Sequence, residues 1–139
     1  MRKCFALSLA LLCLAGCGSP GIVGKWNMGG GGVAPGSKLV TEFMANTFTV
    51  SAEVEQAGAK IKFEFSGDYT FDGKKLKMVG KSVKLDESSL PAIAKSMAAT
   101  FKSSLEKAVL TTQEGDAKLE GDTLTFTTNG QTTTFTKIK

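Results

Sequence analysis

Two neighbouring segments of the chain alternate apolar and polar side chains with a period of two. In residues 47–54 every second side chain is apolar, beginning with Phe48, and the positions between hold threonine, serine or glutamate. Residues 60–71 repeat the pattern over a longer stretch that Gly67 interrupts. Because successive side chains of a strand point to opposite faces, this period predicts two half-buried antiparallel strands, with a bend or bulge at Gly67. The apolar face of the second strand consists of Ile61, Phe63, Phe65, Tyr69 and Phe71.

Turn signals divide the rest of the chain into further short strands. Ala45-Asn46, Asp72-Gly73 and Asn129-Gly130 each separate two segments rich in apolar or β-branched residues, a pattern typical of hairpins. Glu114-Gly115-Asp116 and Glu120-Gly121-Asp122 predict two more turns. The total is about eight to ten antiparallel strands, which favours a barrel or a tightly rolled sheet. The additional strand segments are 22–28, 39–44, 74–79, 109–113, 117–119, 123–128 and 131–138.

Residues 88–108 change to a helical period. Apolar side chains recur at every third or fourth position, and lysines lie mostly off that stripe, so we predict one amphipathic helix with Pro91 in its first turn. One interpretation is that this helix covers a barrel opening or a sheet face and completes the core. The other is a lid over an apolar cavity. The stripe consists of Leu90, Ile93, Met97, Phe101 and Leu105.

Three segments resemble the small lipocalin-like domains of bacteria. They are Gly24-Lys25-Trp26, residues 67–76, and residues 121–126 running into Thr133-Thr134-Phe135. The resemblance implies a mainly β fold, an antiparallel lipocalin-like β-barrel. The helix inserted at about 88–108 departs from ordinary lipocalins, where the helix follows the barrel strands. The resemblance also implies that Trp26 packs across the closed end of the barrel, and stacking on a ligand is the alternative role.

The N-terminus has the pattern of an export signal. Two cationic residues, Arg2 and Lys3, precede an almost wholly apolar run over residues 4–15, which is too short to span a bilayer as a helix. Leu14-Ala15-Gly16-Cys17 follows and resembles the lipobox of bacterial lipoproteins. The resemblance implies that the Cys17 thiol receives a diacylglyceryl group, that the chain is cut before it, and that the new amine is acylated, typically with palmitate. An ordinary secretory signal or an uncleaved anchor are the alternatives.

This interpretation divides the chain into three parts. Residues 1–16 are a lipoprotein signal peptide, 17–21 hold the lipidated cysteine and a short tether, and 22–139 form the barrel domain. An extended tether of this length reaches about 14 Å, so we expect the domain close to a membrane. The resemblance implies a lipid-anchored protein of the cell envelope. Because Gly18 stands where an aspartate retains many lipoproteins at the inner membrane, it implies the outer membrane in a diderm cell.

Loss of the signal changes what the composition means. The whole chain has 17 basic and 13 acidic residues, and removal of Arg2 and Lys3 leaves 15 basic ones and a net charge of +2. Its only arginine leaves with the signal, and the lysines that remain form no concentrated basic patch. Nucleic acid is therefore not an expected partner.

Several kinds of chemistry lack their residues. The chain has no histidine, and Cys4 and Cys13 leave with the signal, so no histidine-dependent triad, thiol nucleophile or disulfide is available. Asp68 and Asp72 are too sparse a pair for an oxygen-ligated calcium loop. We therefore predict no catalytic residues, no metal site, no cofactor and no enzymatic activity.

Two functions fit these expectations. The first is a membrane-anchored, non-catalytic binding module for an apolar or amphipathic ligand. The alternative is a protein-interaction or enzyme-inhibitor lipoprotein of the cell envelope with a filled core. The nine phenylalanines, of which Phe5 leaves with the signal, are just enough to fill a small barrel and favour a filled core. The predicted ligand-binding residues are Phe48, Phe63, Phe65, Tyr69, Phe71 and Phe126.

Overall fold

A computed structural model of the chain describes residues 21–30, 33, 35–56 and 58–139. The predicted signal peptide, Cys17 and the tether up to residue 20 lie outside these residues. The hydrogen-bonded ladders and the apolar core are complete within residues 22–138. The paired residues of the closed barrel run from Gly24 to Lys137.

Eight strands form one closed antiparallel barrel in simple up-and-down order. Each strand pairs with the next one in sequence, and β8 returns to pair with β1, where Phe135 lies opposite Met28. The prediction of a mainly β antiparallel barrel with one inserted helical segment is confirmed. The strands are β1 (Gly24–Gly30), β2 (Lys38–Phe43), β3 (Thr47–Gln56), β4 (Ala59–Phe71), β5 (Lys75–Leu85), β6 (Thr112–Glu120), β7 (Thr123–Thr128) and β8 (Gln131–Lys137).

The alternating strand directions make the two ends of the barrel different. The closed end carries the tight turns 44–46, 72–74 and 121–122, and the chain also begins β1 and finishes β8 there. The open end carries the longer connections, 31–37 and the helical segment 86–111. We use "closed end" and "open end" in this sense below.

Large side chains fill the barrel at its closed end. Trp26 is 1% exposed, and its indole Nε1 donates a hydrogen bond of 2.8 Å to the carbonyl oxygen of Ile22. Phe43 lies edge-on to Tyr69 and to Phe135, with ring centroids 4.9 and 6.0 Å apart. Because the indole nitrogen has its partner inside the protein, the largest side chain of the chain is buried here without an unsatisfied donor.

The helical segment differs in detail from the single predicted helix. It consists of a 3-10 turn (Glu87–Ser89), the short helix α1 (Ala92–Lys95) and the main helix α2 (Ala98–Val109). Leu90 and Pro91 are both extended, with ψ of 139° and 152°. A residue before proline is kept out of the helical region by the proline ring, so the helix cannot run through this point.

The predicted strand boundaries before β7 are also revised. The predicted turn at Glu114-Gly115-Asp116 lies inside the continuous strand β6. Gly115 is where β6 and β7 approach closely, because a Cβ there would lie 2.0 Å from the carbonyl oxygen of Thr127. The glycine therefore serves close packing of strands and not chain reversal.

The bulge predicted at Gly67 is present. The pairing of β4 with β5 shifts register between Ser66 and Gly67. A Cβ at Gly67 would lie 1.9 Å from the carbonyl oxygen of Val79. Beyond the shift, β5 continues to Leu85, six residues further than predicted. Ser66 lies opposite Ser82 and Gly67 opposite Gly80, so the extra residue is Lys81, and the bulge bends β5 where the barrel wall curves toward the helical segment.

We predict that Gly67→Ala lowers the free energy of unfolding by about 1–3 kcal/mol, because the new methyl group overpacks the bulge. Gly29→Ala is the matched control, since a Cβ there would meet nothing closer than the carbonyl oxygen of Thr134 at 4.0 Å. Urea unfolding followed by the fluorescence of Trp26 measures both. Equal stability of the two variants would contradict the close approach at the bulge.

Candidate functional site

The open half of the barrel contains a cavity of about 200 Å³. Its wall is formed by inward side chains of the strands, the same alternating positions that are filled by Trp26 and Phe43 at the closed end. Most of the lining is apolar, which is the usual character of small-molecule sites. The apolar side chains of the wall include Met28, Leu39, Phe48, Phe65, Met78 and Phe126.

Aromatic rings give this wall its shape. Phe48 and Phe65 meet edge-to-face across β3 and β4, with centroids 6.3 Å apart. Phe126 and Phe135, on β7 and β8, are 2% and 1% exposed. Rings held by close packing lose little freedom when a ligand arrives, so this side of the cavity is preorganised for an apolar group.

A few polar side chains lie among the apolar ones. Thr111 and Gln113, around the start of β6, and Thr133, near the start of β8, all line the cavity. These strand starts are at the open end, so the polar groups lie toward the mouth. A ligand with an apolar body and one polar group matches this distribution.

The end of α2 supplies one side of the cavity in place of a strand. β6 pairs with β5 only as far as Val79, and beyond that point Val109 and Thr111 border the cavity. The backbone N–H of Gly80 donates to the carbonyl oxygen of Thr111 at 3.3 Å. A Cβ at Gly80 would lie 2.0 Å from the carbonyl oxygen of Val109, so glycine permits the helix end to lie against β5.

The structure brings together three of the six predicted ligand-binding residues. Phe48, Phe65 and Phe126 all line the cavity. Tyr69 and Phe71 line a separate hollow of about 430 Å³ at the closed end. Phe63 lies in neither of these two places.

Phe63 is half-buried in a broad groove of about 640 Å³ over strands β2 to β5. Charged side chains border this groove, with Lys62 3.9 Å from Glu53 and Lys84 3.9 Å from Glu64. The groove is larger than the cavity, but charges at its border keep it hydrated. A small apolar ligand would gain less burial there than inside the barrel.

Tyr69 is part of the packing at the closed end. Its hydroxyl donates a hydrogen bond of 2.6 Å to the carbonyl oxygen of Met44, and its ring packs against Phe43. Burial raises the pKa of the Tyr69 hydroxyl, which therefore stays protonated and remains a donor at neutral pH. These contacts fasten the β2–β3 turn to β4.

Other residues of the cavity were absent from the predicted set. Met28, Leu39 and Met78 occupy inward positions in the alternation of their own strands, so that alternation could have identified them. Val109 and Thr111 had no such signal, because the predicted helix boundary assigned them to a strand. Their role depends on how α2 ends against β5.

Charged side chains lie on the outside of the barrel. Lys75 pairs with Asp116 at 2.8 Å and Lys118 with Glu120 at 2.8 Å, all of them exposed. Backbone N–H groups of Lys75 and Lys74 donate to Asp72 and lower the pKa of its carboxyl. Among the described residues, no group of three or more histidine, cysteine, aspartate or glutamate side chains is placed to hold a metal ion.

Comparisons with known proteins give no direct assignment. No protein-family model matches the chain, and a search of curated proteins finds no match.

In residues 21–139, apart from positions 31, 32, 34 and 57, no helix has the length and apolar character needed to cross a membrane.

We predict that Tyr69→Phe lowers the free energy of unfolding by about 1 kcal/mol through loss of the hydrogen bond to Met44. Ligand binding in the cavity is expected to stay unchanged, because Tyr69 lies in the other half of the barrel. Urea unfolding and a binding titration on the same variant separate the two effects. Unchanged stability together with weaker binding would make Tyr69 a ligand contact.

Proposed function

We propose that this chain is a lipid-anchored envelope protein whose lipocalin-like barrel binds a small apolar or amphipathic ligand without catalysis. The observation that carries the proposal is the apolar cavity of about 200 Å³ at the open end. A filled barrel would have supported the protein-interaction alternative. The polar groups of Gln113 and Thr133 favour a ligand with one polar end.

The cavity volume limits the size of the ligand. An apolar cavity of about 150 Å³ can hold benzene, and pockets for drug-sized molecules begin at about 300 Å³. The present cavity lies between these values. We therefore propose a single small ring or a short acyl chain, with its polar end near Thr133.

We predict that phenol and octanoate, as ring and chain probes, shift the NMR signals of the Met28 and Met78 methyl groups, which line the cavity. The methyls of Met44 and Met97 are internal controls, because both side chains are exposed on the outside. The titration uses residues 18–139, which contain the complete barrel. Shifts confined to the control methyls, or no shifts at all, would contradict the proposed site.

Thr133→Phe is expected to fill the mouth of the cavity and to weaken binding of both probes at least about tenfold. A tenfold weakening corresponds to a loss of about 1.4 kcal/mol of binding free energy. Thr132→Phe places the same ring on the neighbouring, exposed position of β8 and should leave binding unchanged. Binding that survives Thr133→Phe intact would place the ligand elsewhere.

The lipid anchor is the second part of the proposal. It rests on the lipobox at Leu14-Ala15-Gly16-Cys17. Several acyl chains on one residue provide stable anchoring, where one chain would bind only marginally. With Gly18 after the cysteine, we propose outer-membrane delivery in a diderm cell.

Cys17→Ser is expected to abolish metabolic labelling with palmitate and to release the protein from the membrane fraction. Cys13→Ser changes a thiol within the predicted signal peptide and is the matched control, with labelling retained. Membrane association of the Cys17→Ser protein at the original level would contradict the anchor.

A second candidate function is docking of an envelope protein. Met97 is 59% exposed just before α2, and Leu110 is exposed just after it. Exposed apolar side chains beside a helix are typical of interaction surfaces. This function would use the open end from the outside and would persist in a Thr133→Phe variant whose cavity is filled.

A further inference from the structure

The described residues expose five large apolar side chains, and three of them lie at the closed end of the barrel. Val23 is 53% exposed, Met44 44% and Ile138 38%. The other two, Met97 and Leu110, flank α2 at the open end. We refer to Val23, Met44 and Ile138 as the apolar triad.

Strand pairing brings the triad together. Gly24 lies opposite Phe43 in the antiparallel ladder, so Val23, which precedes Gly24, and Met44, which follows Phe43, are neighbours. The backbone N–H of Ile138 donates to the carbonyl oxygen of Lys25 at 2.8 Å, which places Ile138 on the other side of β1. Three adjacent segments of the rim therefore present one apolar side chain each.

The triad cannot withdraw into the core, because the backbone beside it is fixed. The carbonyl oxygen of Ile22 accepts the indole N–H of Trp26 at 2.8 Å, and Ile22 itself is fully buried. The carbonyl oxygen of Met44 accepts a hydrogen bond of 2.6 Å from the Tyr69 hydroxyl. The backbone N–H of Met44 donates to the carbonyl oxygen of Thr47 at 2.8 Å. The hydrogen-bonded backbone beside the triad therefore keeps its side chains at the surface.

Lysines accompany the triad. Lys25 and Lys137 lie beside it on β1 and β8, and the ammonium group of Lys137 is 5.5 Å from the ring centroid of Trp26. Glu42 lies opposite Lys25, and Asp122 pairs with Lys139 at 3.0 Å. An apolar tip with adjacent lysines matches a membrane interface, where apolar groups enter the acyl boundary and amines meet phosphates.

The position of the predicted anchor selects this occupant. The described chain begins at Gly21, at the same end as the triad, and three residues separate it from Cys17. Four extended residues span about 14 Å, less than the length of a strand such as β4. A lipid on Cys17 therefore keeps the closed end, and not the open end, within reach of the bilayer surface.

We propose that the closed end is a membrane-docking surface, on which Val23, Met44 and Ile138 contact the lipid interface and hold the barrel upright with its open end toward the aqueous side. The inference rests on the lipid anchor of the proposed function and is independent of ligand binding. In this orientation the cavity opens to the water and not to the bilayer.

The test measures the orientation of the full lipidated protein in vesicles of phosphatidylethanolamine and phosphatidylglycerol. Met44→Cys and Gln131→Cys provide labelling sites at the closed and open ends, both at exposed positions. Each carries an environment-sensitive NBD label, and Cys17 is blocked by its lipid. We expect blue-shifted emission and quenching by doxyl-labelled lipid at position 44, and water-like, unquenched emission at position 131.

A combined Val23→Ser and Ile138→Ser substitution in the Met44→Cys protein should remove the quenching while the protein stays on the vesicles. Blue-shifted fluorescence of the buried Trp26 side chain checks that this variant is folded. The intact mass of the protein checks that Cys17 is acylated. Water-like emission at both positions of the acylated protein, or quenching at position 131 instead, would overturn the orientation and leave the anchor standing. Absence of the acyl mass would overturn both.

Discussion

The pairing of the last strand with the first is the contact on which the rest of the structure depends. Residues 26–30 of β1 lie opposite residues 133–137 of β8, and this ladder turns a row of hairpins into a cylinder. Closure pairs the edges that an open sheet would expose. It also gives every strand an inside and an outside, so that alternate side chains along each strand share one enclosed space. Both the packed core and the cavity are parts of that space.

The strands could be predicted from sequence because this constraint is visible residue by residue. Phe48 and Val50 are buried between half-buried or exposed polar neighbours, as the period of two requires. Gly115 misled the prediction because glycine between two acidic residues resembles a turn. In the barrel, Glu114 and Asp116 face outward to Lys77 and Lys75, at 3.8 and 2.8 Å, and only the glycine faces inward.

The site was less predictable than the fold. Phe48, Phe65 and Tyr69 all occupy apolar positions in the alternation of their strands, yet the first two border the cavity and the third packs against Phe43 at the closed end. Which inward residues leave space depends on the volumes of side chains that meet across the barrel, and these are far apart in sequence. The contribution of Val109 depends in addition on the glycine at position 80, whose missing Cβ permits the helix end to approach.

The first and last strands begin and end side by side, since the backbone N–H of Ile138 donates to the carbonyl oxygen of Lys25 on the neighbouring strand. Proteins with adjacent termini commonly tolerate circular permutation. A short linker joining the end of β8 to the start of β1, with new termini opened in the exposed Asn129-Gly130 turn, would keep every ladder of the cylinder. In such a permutant an N-terminal lipid would be attached at the open end. The barrel would then have the opposite orientation, with its cavity facing the bilayer.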